Sequence, residues 1–194
     1  PTAPYWTGFD GPNCFWGGLG YDETTDDFLV VVGWRSSGYK TQWHYFSIRT
    51  NSWKEIEFGH LPPHVLPRTY SAVFCNGAIH WLAWKGPAKV IVIVAFDVAR
   101  KQLSIMSLPM VSLPDVRDCL KWMLNLFGGC LGISYMMRDH KAGLWVMKEY
   151  NVESSWTKLN VVLPGDDVIY FLLCFTNGGE FVGMQFNNKL MKFS

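Results

Sequence analysis

The stretch LWVMKEYNVESSWTKL, Leu144–Leu159, decides the fold. An alternating apolar run leads into a polar turn, and Trp156 follows Tyr150 by six residues. Alternation predicts a β-strand because successive side chains of a strand point to opposite faces of a sheet. Similar strand–turn–strand patterns occupy His44–Phe58 and Val94–Pro109. The hairpin is therefore one copy of a repeated unit.

The spacing of two features sets the repeat length. An aromatic residue begins each hairpin, at intervals of 50 and 54 residues, at Phe46, Phe96 and Tyr150. A glycine turn that precedes another strand recurs at intervals of 52 and 50 residues, at Gly77, Gly129 and Gly179. A period near fifty residues is typical of kelch-type propeller blades.

The repeats predict one all-β domain over residues 1–194, a kelch-like β-propeller portion of about three and a half blades. The repeat units cover residues 18–57, 70–109, 125–161 and 170–194, and the last unit is incomplete. A single blade cannot bury both of its faces, whereas stacked blades can. Since propellers have at least four blades, the chain is either a truncated propeller or a smaller, irregular β-assembly. A start at Pro1 and not at Met favours truncation.

The repeats also predict packing residues and leave one segment with two possible structures. Trp53 and Trp156 close their hairpins, and we expect both side chains to be packing anchors between blades. Pro114–Phe127 has apolar residues at helical spacing, but a loop followed by a strand fits this segment equally well.

The composition limits the classes of partner. Apolar residues make up 49% of the chain and charged residues 17%, which indicates a folded protein. The net charge is +1 without a lysine or arginine cluster, so we expect neither nucleic acid nor an anionic membrane as a partner. Five cysteines without a CxxC motif indicate reduced thiols, and hence a cytoplasmic or nuclear protein.

The segment GLGYDETTDDFLVVVGW, Gly18–Trp34, resembles the opening of the plant F-box-associated domain, in which a G-x-G-Y-D turn precedes a T-D-D hairpin and a V-V strand. The later segments SIRTNSWKEIE, VFCNGAIHWLAW, IVAFDVARKQLSIMSLP and LWVMKEYNVESSWTKL resemble later blocks of that family in the same order. The resemblance extends from about Gly18 to Leu159.

The resemblance implies a function in ubiquitination. In this family a helical F-box binds the adaptor of a Skp–cullin–F-box ubiquitin ligase, and the propeller-like part selects the target protein. No F-box precedes Pro1 in the sequence. We therefore expect this chain to bind a target protein, and expect contact with the adaptor only through an F-box outside this sequence.

The candidate binding residues lie in three loops at equivalent places of successive repeats. Equivalent loops of a propeller lie on one face, and exposed aromatic and arginine side chains are typical of binding hot spots. The candidates are Trp34, Arg35, Tyr39, Trp84, Lys85, Met137, Arg138 and His140. The alternative is that these are ordinary solvated loops whose aromatic side chains point inward.

The sequence predicts no metal site, cofactor or catalytic centre. His60 and His64 are four residues apart, but the two prolines between them exclude the helix that would bring both to one metal. The acidic stretch Asp22–Asp27 lacks the glycine and final glutamate of a calcium loop, and its residues favour a tight turn. His80 lies on a predicted strand, where a hydrogen-bonded core or interface residue is expected and not a base. No nucleophile-elbow or phosphate-loop motif is present.

Two other functions fit a propeller. Loop aromatics can stack on sugar rings, so a glycan-binding module is the first alternative. The second is a propeller enzyme, such as a kelch-type oxidase with copper. A propeller fold alone does not distinguish these functions.

Overall fold

The structure is a computed structural model that describes residues 15–35, 41–57, 64–65, 72–85, 90–109, 113–114, 118–138, 142–159, 169–175, 180–185 and 190–193. The chain divides into two compact units, Pro1–Met106 and Ser107–Ser194. Each unit contains two antiparallel β-sheets. The all-β prediction is confirmed, while the extent of a single domain over residues 1–194 stays a prediction.

The first unit contains sheets 1 and 2. The strands of sheet 1 follow one another in space as in sequence: β1 (Phe15–Asp22), β2 (Asp27–Arg35), β3 (Thr41–Ser47) and β4 (Ser52–Glu55). In sheet 2 the place of the first strand is taken by two short strands, and both of them pair with β7. Its strands are β5 (His64–Val65), β6 (Val73–Cys75), β7 (Ala78–Lys85), β8 (Val90–Asp97) and β9 (Gln102–Met106).

The second unit contains sheets 3 and 4. Sheet 3 has four strands, and a 3-10 turn, Glu153–Ser155, precedes the last of them: β10 (Cys119–Phe127), β11 (Cys130–Met137), β12 (Ala142–Met147) and β13 (Trp156–Leu159). Sheet 4 consists of β14 (Ile169–Phe175), β15 (Phe181–Gln185) and β16 (Leu190–Phe193). No helix in the described part of the chain is long and apolar enough to cross a membrane.

The ambiguous segment Pro114–Phe127 contains a strand, β10, in its second part. Leu124 pairs with Ile133 of β11, and both side chains are buried. Trp122 and Leu124 are buried whereas Met123 between them is only half-buried, as expected for a strand and not for a helix. The strand alternative is therefore confirmed and the helix alternative is wrong.

Three hairpin loops of four residues share one construction. They are 23–26, 48–51 and 98–101, and each ends in a residue with positive φ: Asp26 at 51°, Asn51 at 51° and Lys101 at 58°. The strand residue before each loop accepts a hydrogen bond from a backbone N–H within it. Asp22 Oδ1, for example, accepts from Thr24 at 2.9 Å. The prediction of a tight turn over Asp22–Asp27 is confirmed.

The glycine turns between first and second strands are shorter. Asn76 and Gly77 form a two-residue loop with φ of 48° and 69°, and Gly128 and Gly129 form another with φ of 58° and 80°. Two-residue hairpin loops commonly need positive φ at both positions, which glycine and asparagine adopt at low cost. This requirement explains the glycines at Gly77 and Gly129, while Gly179, the third glycine of the period, lies outside the described residues.

The core of the first unit lies between sheets 1 and 2. Trp43 of β3 packs against Trp81 of β7, with 5.0 Å between ring centroids. The glycines of the GLGYD segment permit close contact. A Cβ on Gly18 would lie 2.5 Å from Ile79 Cγ2, and a Cβ on Gly20 would lie 2.8 Å from Val98 Cγ1. β1 therefore carries glycine where side chains of sheet 2 fill the space.

An ion pair joins the same two sheets at the turn end. Lys101 Nζ donates to Asp22 Oδ2 at 2.5 Å, and the Asp22 side chain is fully buried. The hydroxyls of Thr24 and Thr25 also donate to this carboxylate, at 2.6 and 2.7 Å. Burial by itself raises the pKa of Asp22, but the hydrogen bonds from Lys101, Thr24 and Thr25 outweigh it and hold that pKa well below its usual range.

The two tryptophans predicted as packing anchors differ in burial. Trp156 is buried and its Nε1–H donates to the carbonyl oxygen of Ser107 at 3.2 Å. Trp53 is only half-buried, and its indole contacts the Phe46 ring at a centroid distance of 5.1 Å. The anchor role thus fits the burial of Trp156, whereas Trp53 lies on a partly exposed face of sheet 1.

Candidate partner-binding face

The three candidate loops have the same place in the strand order. Residues 36–40, 86–89 and 139–141 each connect the second and third strand of a four-stranded path, in sheets 1, 2 and 3. The loops themselves lie outside the described residues, and Tyr39 and His140 lie within them. The remaining six candidates lie at the ends of the second strands or directly after them.

Two of these loops begin at the same edge of the first unit. At one end of β1, the carbonyl oxygen of Gly17 accepts a hydrogen bond from Trp81 Nε1 of β7. At the other end, Asp22 contacts Lys101. These contacts align sheet 2 with sheet 1, so that β2 and β7 run in the same direction. Arg35 and Lys85, their last residues, therefore lie at one edge.

Trp34 is buried despite its place next to a loop. Only 5% of it is exposed, and its indole stacks on the His44 ring with 4.7 Å between centroids and 21° between planes. Burial lowers the pKa of His44, which the nearby Glu55 carboxylate partly opposes. Trp34 thus offers little surface to a partner. The side chain of Arg35 lies outside the described part of the structure.

Trp84 and Lys85 are more accessible. Trp84 is half-buried and pairs with His64 of β5 on one side and Ile91 of β8 on the other. Lys85, the next residue, is exposed at the end of β7. The pair combines an aromatic surface with a cation that is reachable from solvent.

The second unit has a similar combination. Met137 ends β11, is half-buried and pairs with Cys119 of β10. Arg138 follows it and is exposed, while its backbone N–H donates to the carbonyl oxygen of Asp118 at 2.9 Å. This hydrogen bond fixes the backbone at the point where the loop begins.

His80 belongs to the core. Its side chain is fully buried, and its Nδ1 lies 3.0 Å from the carbonyl oxygen of Val73 and 3.7 Å from Cys75 Sγ. Burial lowers the pKa of His80 to about 4, although hydrogen bonds with the backbone of Val73 and Ala78 oppose the shift. A neutral, inaccessible imidazole is not placed to act as a base, and the prediction of a hydrogen-bonded core residue is confirmed.

Charged and sulfur side chains do not gather into a metal site in the parts of the chain that the structure describes. No group of three or more His, Cys, Asp or Glu residues lies within coordinating reach there. Cys75, Cys119 and Cys130 form no disulfide bond with one another.

Two structural features escaped the sequence reasoning. The Asp22–Lys101 ion pair joins residues 79 positions apart, and no local pattern signals it. The other feature is a partly exposed apolar face on sheet 1, around Phe28 and Ile48. A comparison of equivalent positions in successive repeats would have located the second feature.

Comparison with known proteins finds similarity to one domain family and to F-box proteins. The family described as the F-box associated beta propeller domain matches residues 13–193. The F-box protein CPR1 of Arabidopsis thaliana is 28% identical over 200 residues, which covers 91% of this chain and 48% of that protein. The F-box protein At4g22390 of the same species is 30% identical over 161 residues, covering 73% of this chain and 39% of that protein.

A third relative is the F-box/kelch-repeat protein At3g23880 of Arabidopsis thaliana, 28% identical over 149 residues, or 76% of this chain and 40% of that protein. The chain thus spans about half or less of the length of these curated relatives. The match covers all four sheets, and the expected partial β-propeller agrees with the antiparallel sheets observed. The chain belongs to the F-box associated β-propeller domain family.

Proposed function

We propose that this chain is the target-recognition part of a Skp–cullin–F-box ubiquitin ligase receptor and binds a protein that is to be ubiquitinated. The observation that carries the proposal is the family match over residues 13–193, with relatives that are F-box proteins. The chain itself has no catalytic role in this proposal, because the ligase's other subunits supply the chemistry. We infer a cytoplasmic or nuclear location, in keeping with the reduced thiols that the sequence predicts.

The strand ends described above support a protein-binding role. Lys85 in the first unit and Arg138 in the second are exposed cations, each next to a half-buried Trp84 or Met137. An apolar contact flanked by a cation suits a peptide segment that carries both a hydrophobic side chain and a carboxylate. We therefore propose that the target presents an acidic segment to at least one of these places.

A binding assay in plant cells tests this proposal. The tagged chain is expressed under proteasome inhibition, and copurified proteins are quantified by mass spectrometry. Lys85→Glu and Arg138→Glu each reverse a charge at the proposed contact, and we expect at least one to reduce the recovered target by about tenfold or more. Lys54→Glu is the matched control, because Lys54 is an exposed lysine on the outer strand β4.

Binding alone does not establish the ligase role, so ubiquitination is measured on the protein recovered. The longer receptor is assembled with the ligase subunits, and its activity toward that protein is compared with and without the Lys85→Glu and Arg138→Glu changes. Loss of ubiquitination with the variant that lost binding supports the proposal. The proposal is contradicted if the recovered protein is never ubiquitinated. It is also contradicted if neither charge reversal reduces binding.

Glycan binding is the second candidate, because Trp84 is an aromatic residue that is only half-buried near a loop. Trp34, which is buried, is not a platform for a sugar ring. A glycan array therefore needs only Trp84→Ala as a test variant, with Trp34→Ala as a control for folding. Specific sugar binding that Trp84→Ala abolishes would favour the lectin function over the ligase receptor.

A further inference from the structure

The apolar side chain that shares a surface with Lys85 is Val90 and not Trp84. Lys85, the last residue of β7, pairs with Val90, the first residue of β8. Directly opposite residues of an antiparallel pair lie on one face of the sheet, with Cβ atoms about 4.5–5.5 Å apart. Trp84 precedes Lys85 in the strand and therefore lies on the other face.

Val90 is exposed at the end of a row of valines that is otherwise buried. It is 59% exposed, whereas Val92 and Val94, on the same face of β8, are 7% and 1% exposed. Among the described residues of β7 and β8, the acidic side chain is that of Asp97, at the far end of β8. The pair of Lys85 and Val90 thus combines an apolar surface with a positive charge that neither strand offsets.

In the second unit, β10 has a bulge near the point where β11 ends. Cys119 pairs with Met137 and Lys121 pairs with Met136, so Leu120 is an extra residue on β10 between these two pairs. A β-bulge changes the direction of the side chains around it, and bulges are over-represented next to functional sites.

The bulge leaves two neighbouring side chains between two buried ones. Cys119 and Trp122 are 7% and 4% exposed, although they are three residues apart. In a regular strand, residues on one face are two apart, so a single residue would separate them. Here Leu120, which is 44% exposed, and the half-buried Lys121 both lie between them.

Leu120 lies near the cation that follows β11. The Arg138 N–H donates to the carbonyl oxygen of Asp118, which places these two residues opposite each other. Leu120 is two residues beyond Asp118, and diagonal neighbours across a strand pair are within reach of a long side chain. Arg138 and Lys121 outweigh the one carboxylate of Asp118, so the described charges around Leu120 are positive in sum.

We propose that Val90 and Leu120 select the target by contact with an apolar side chain, while the neighbouring Lys85 and Arg138 bind a carboxylate close to it. The inference rests on the proposed function and defines the acidic segment of the target more closely. That segment carries an aliphatic or aromatic residue within a few positions of an Asp or Glu. One of the two places is sufficient for recognition.

The physical reason for this combination is desolvation. When an apolar side chain of the target covers Val90 or Leu120, water leaves the apolar surface and also the neighbourhood of the cation. The attraction between that cation and a carboxylate then increases, because the local dielectric constant falls. An acidic segment without an apolar residue lacks this effect and should bind more weakly.

Selection from a random peptide library displayed on phage tests the proposal with the immobilised 194-residue chain. Enriched peptides are synthesised, and their Kd values are measured for Val90→Ser and Leu120→Ser. Val152→Ser and Leu126→Ser are the matched controls, because Val152 and Leu126 are also exposed, at 39% and 38%. Urea denaturation of each variant verifies that it is folded.

We expect the enriched peptides to combine Asp or Glu with a nearby aliphatic or aromatic residue. Val90→Ser or Leu120→Ser should raise the Kd of these peptides about fivefold or more, with the matched control unchanged. The charge reversal in the same unit, Lys85→Glu or Arg138→Glu, should weaken the same peptides.

The proposal would be overturned if no peptide is enriched, if the enriched peptides lack carboxylates, or if each serine variant and its control behave alike. If only the charge reversals weaken binding, this inference is wrong while the acidic segment of the proposed function is retained. If the peptides bind as expected but the recovered protein is never ubiquitinated, the ligase role is wrong and the assignment of Val90 and Leu120 is supported.

Discussion

Removing the ammonium group of Lys101 should loosen the contact between sheets 1 and 2. Lys101→Met keeps the length and the apolar stem of the side chain. It removes the ammonium group, whose nitrogen lies 2.5 Å from Asp22 Oδ2. The Asp22 side chain is fully buried and that of Lys101 is 25% exposed, so solvent screens this pair less than a surface pair.

The magnitude follows from the partners that remain. Removing one member of a fully buried ion pair costs about 3–5 kcal/mol, and a hydrogen bond to a charged group contributes about 1.5–3 kcal/mol. Thr24 and Thr25 still donate to the carboxylate, and water can reach the Lys101 side of the pair. We therefore expect Lys101→Met to lower the free energy of unfolding by about 2–3 kcal/mol.

Urea denaturation followed by tryptophan fluorescence measures this loss. A cycle with Asp22→Asn and the double variant isolates the interaction of the two side chains, and we expect a coupling of about 1.5–3 kcal/mol. Arg100→Met is the matched control, because Arg100 forms a 2.8 Å ion pair with Asp97 but is 76% exposed. Its expected cost is about 0–1 kcal/mol. Equal losses for Lys101→Met and Arg100→Met would refute the reasoning.

The pH dependence provides an independent check on Asp22. The folded pKa of Asp22 lies below its unfolded value, so the carboxylate contributes stability that is present above the unfolded pKa, about 3.9. That contribution is lost as the pH falls through the folded pKa. The difference in unfolding free energy between the parent chain and Asp22→Asn should therefore shrink below about pH 4. A difference that stays constant from neutral to acidic pH would contradict the assignment.

Three further predictions concern packing and burial. Gly18→Ala places a Cβ 2.5 Å from a side chain of sheet 2 and should lower the free energy of unfolding by about 1–3 kcal/mol. In Gly17→Ala the new Cβ meets only a carbonyl oxygen at 3.9 Å, so this variant should lose less stability in the same urea assay. Trp156→Ala should lower the free energy of unfolding by about 3–5 kcal/mol, and Trp53→Ala should lower it clearly less because Trp53 is only half-buried. Equal denaturation midpoints for these two variants would contradict the difference in packing. His80 should stay neutral in NMR titrations until the pH approaches about 4. The unfolded chain takes up this proton near pH 6.5, so His80 makes stability decline as pH falls below that value, and His80→Gln should remove that part of the decline.

The repeat could be predicted from the sequence because its signals are local. Alternating side chains, polar four-residue loops and glycine turns act within a few neighbouring residues, so their period near fifty marks the hairpins directly. The segment around Leu124 could not be assigned in this way. Its apolar spacing suits either a helix or a strand, and pairing with Ile133 of β11 decided for the strand.

The accessibility of the candidate binding residues depended on strand register. Trp34 and Trp84 both precede a basic residue at the end of a second strand, so the sequence pattern predicts the same exposure for both. The cross-strand pairs show that Val30 corresponds to Ile79, so Trp34 corresponds to Ala83 and not to Trp84. A shift of one residue moves a side chain to the opposite face of a sheet. Trp34 is buried against His44, while Trp84, on the opposite face at the equivalent strand end, is only half-buried.

The sequence by itself determined the β-hairpins, their repeat and the family of the chain. The tertiary structure decided which residues meet across sheets, since Asp22 and Lys101 are 79 positions apart. It also decided which apolar rows are buried, because the row through Phe96 packs on the glycines of β1 and the equivalent row through Phe46 does not. The physical reason is that hairpins form from neighbouring residues, whereas burial depends on what packs against each face of the completed sheet.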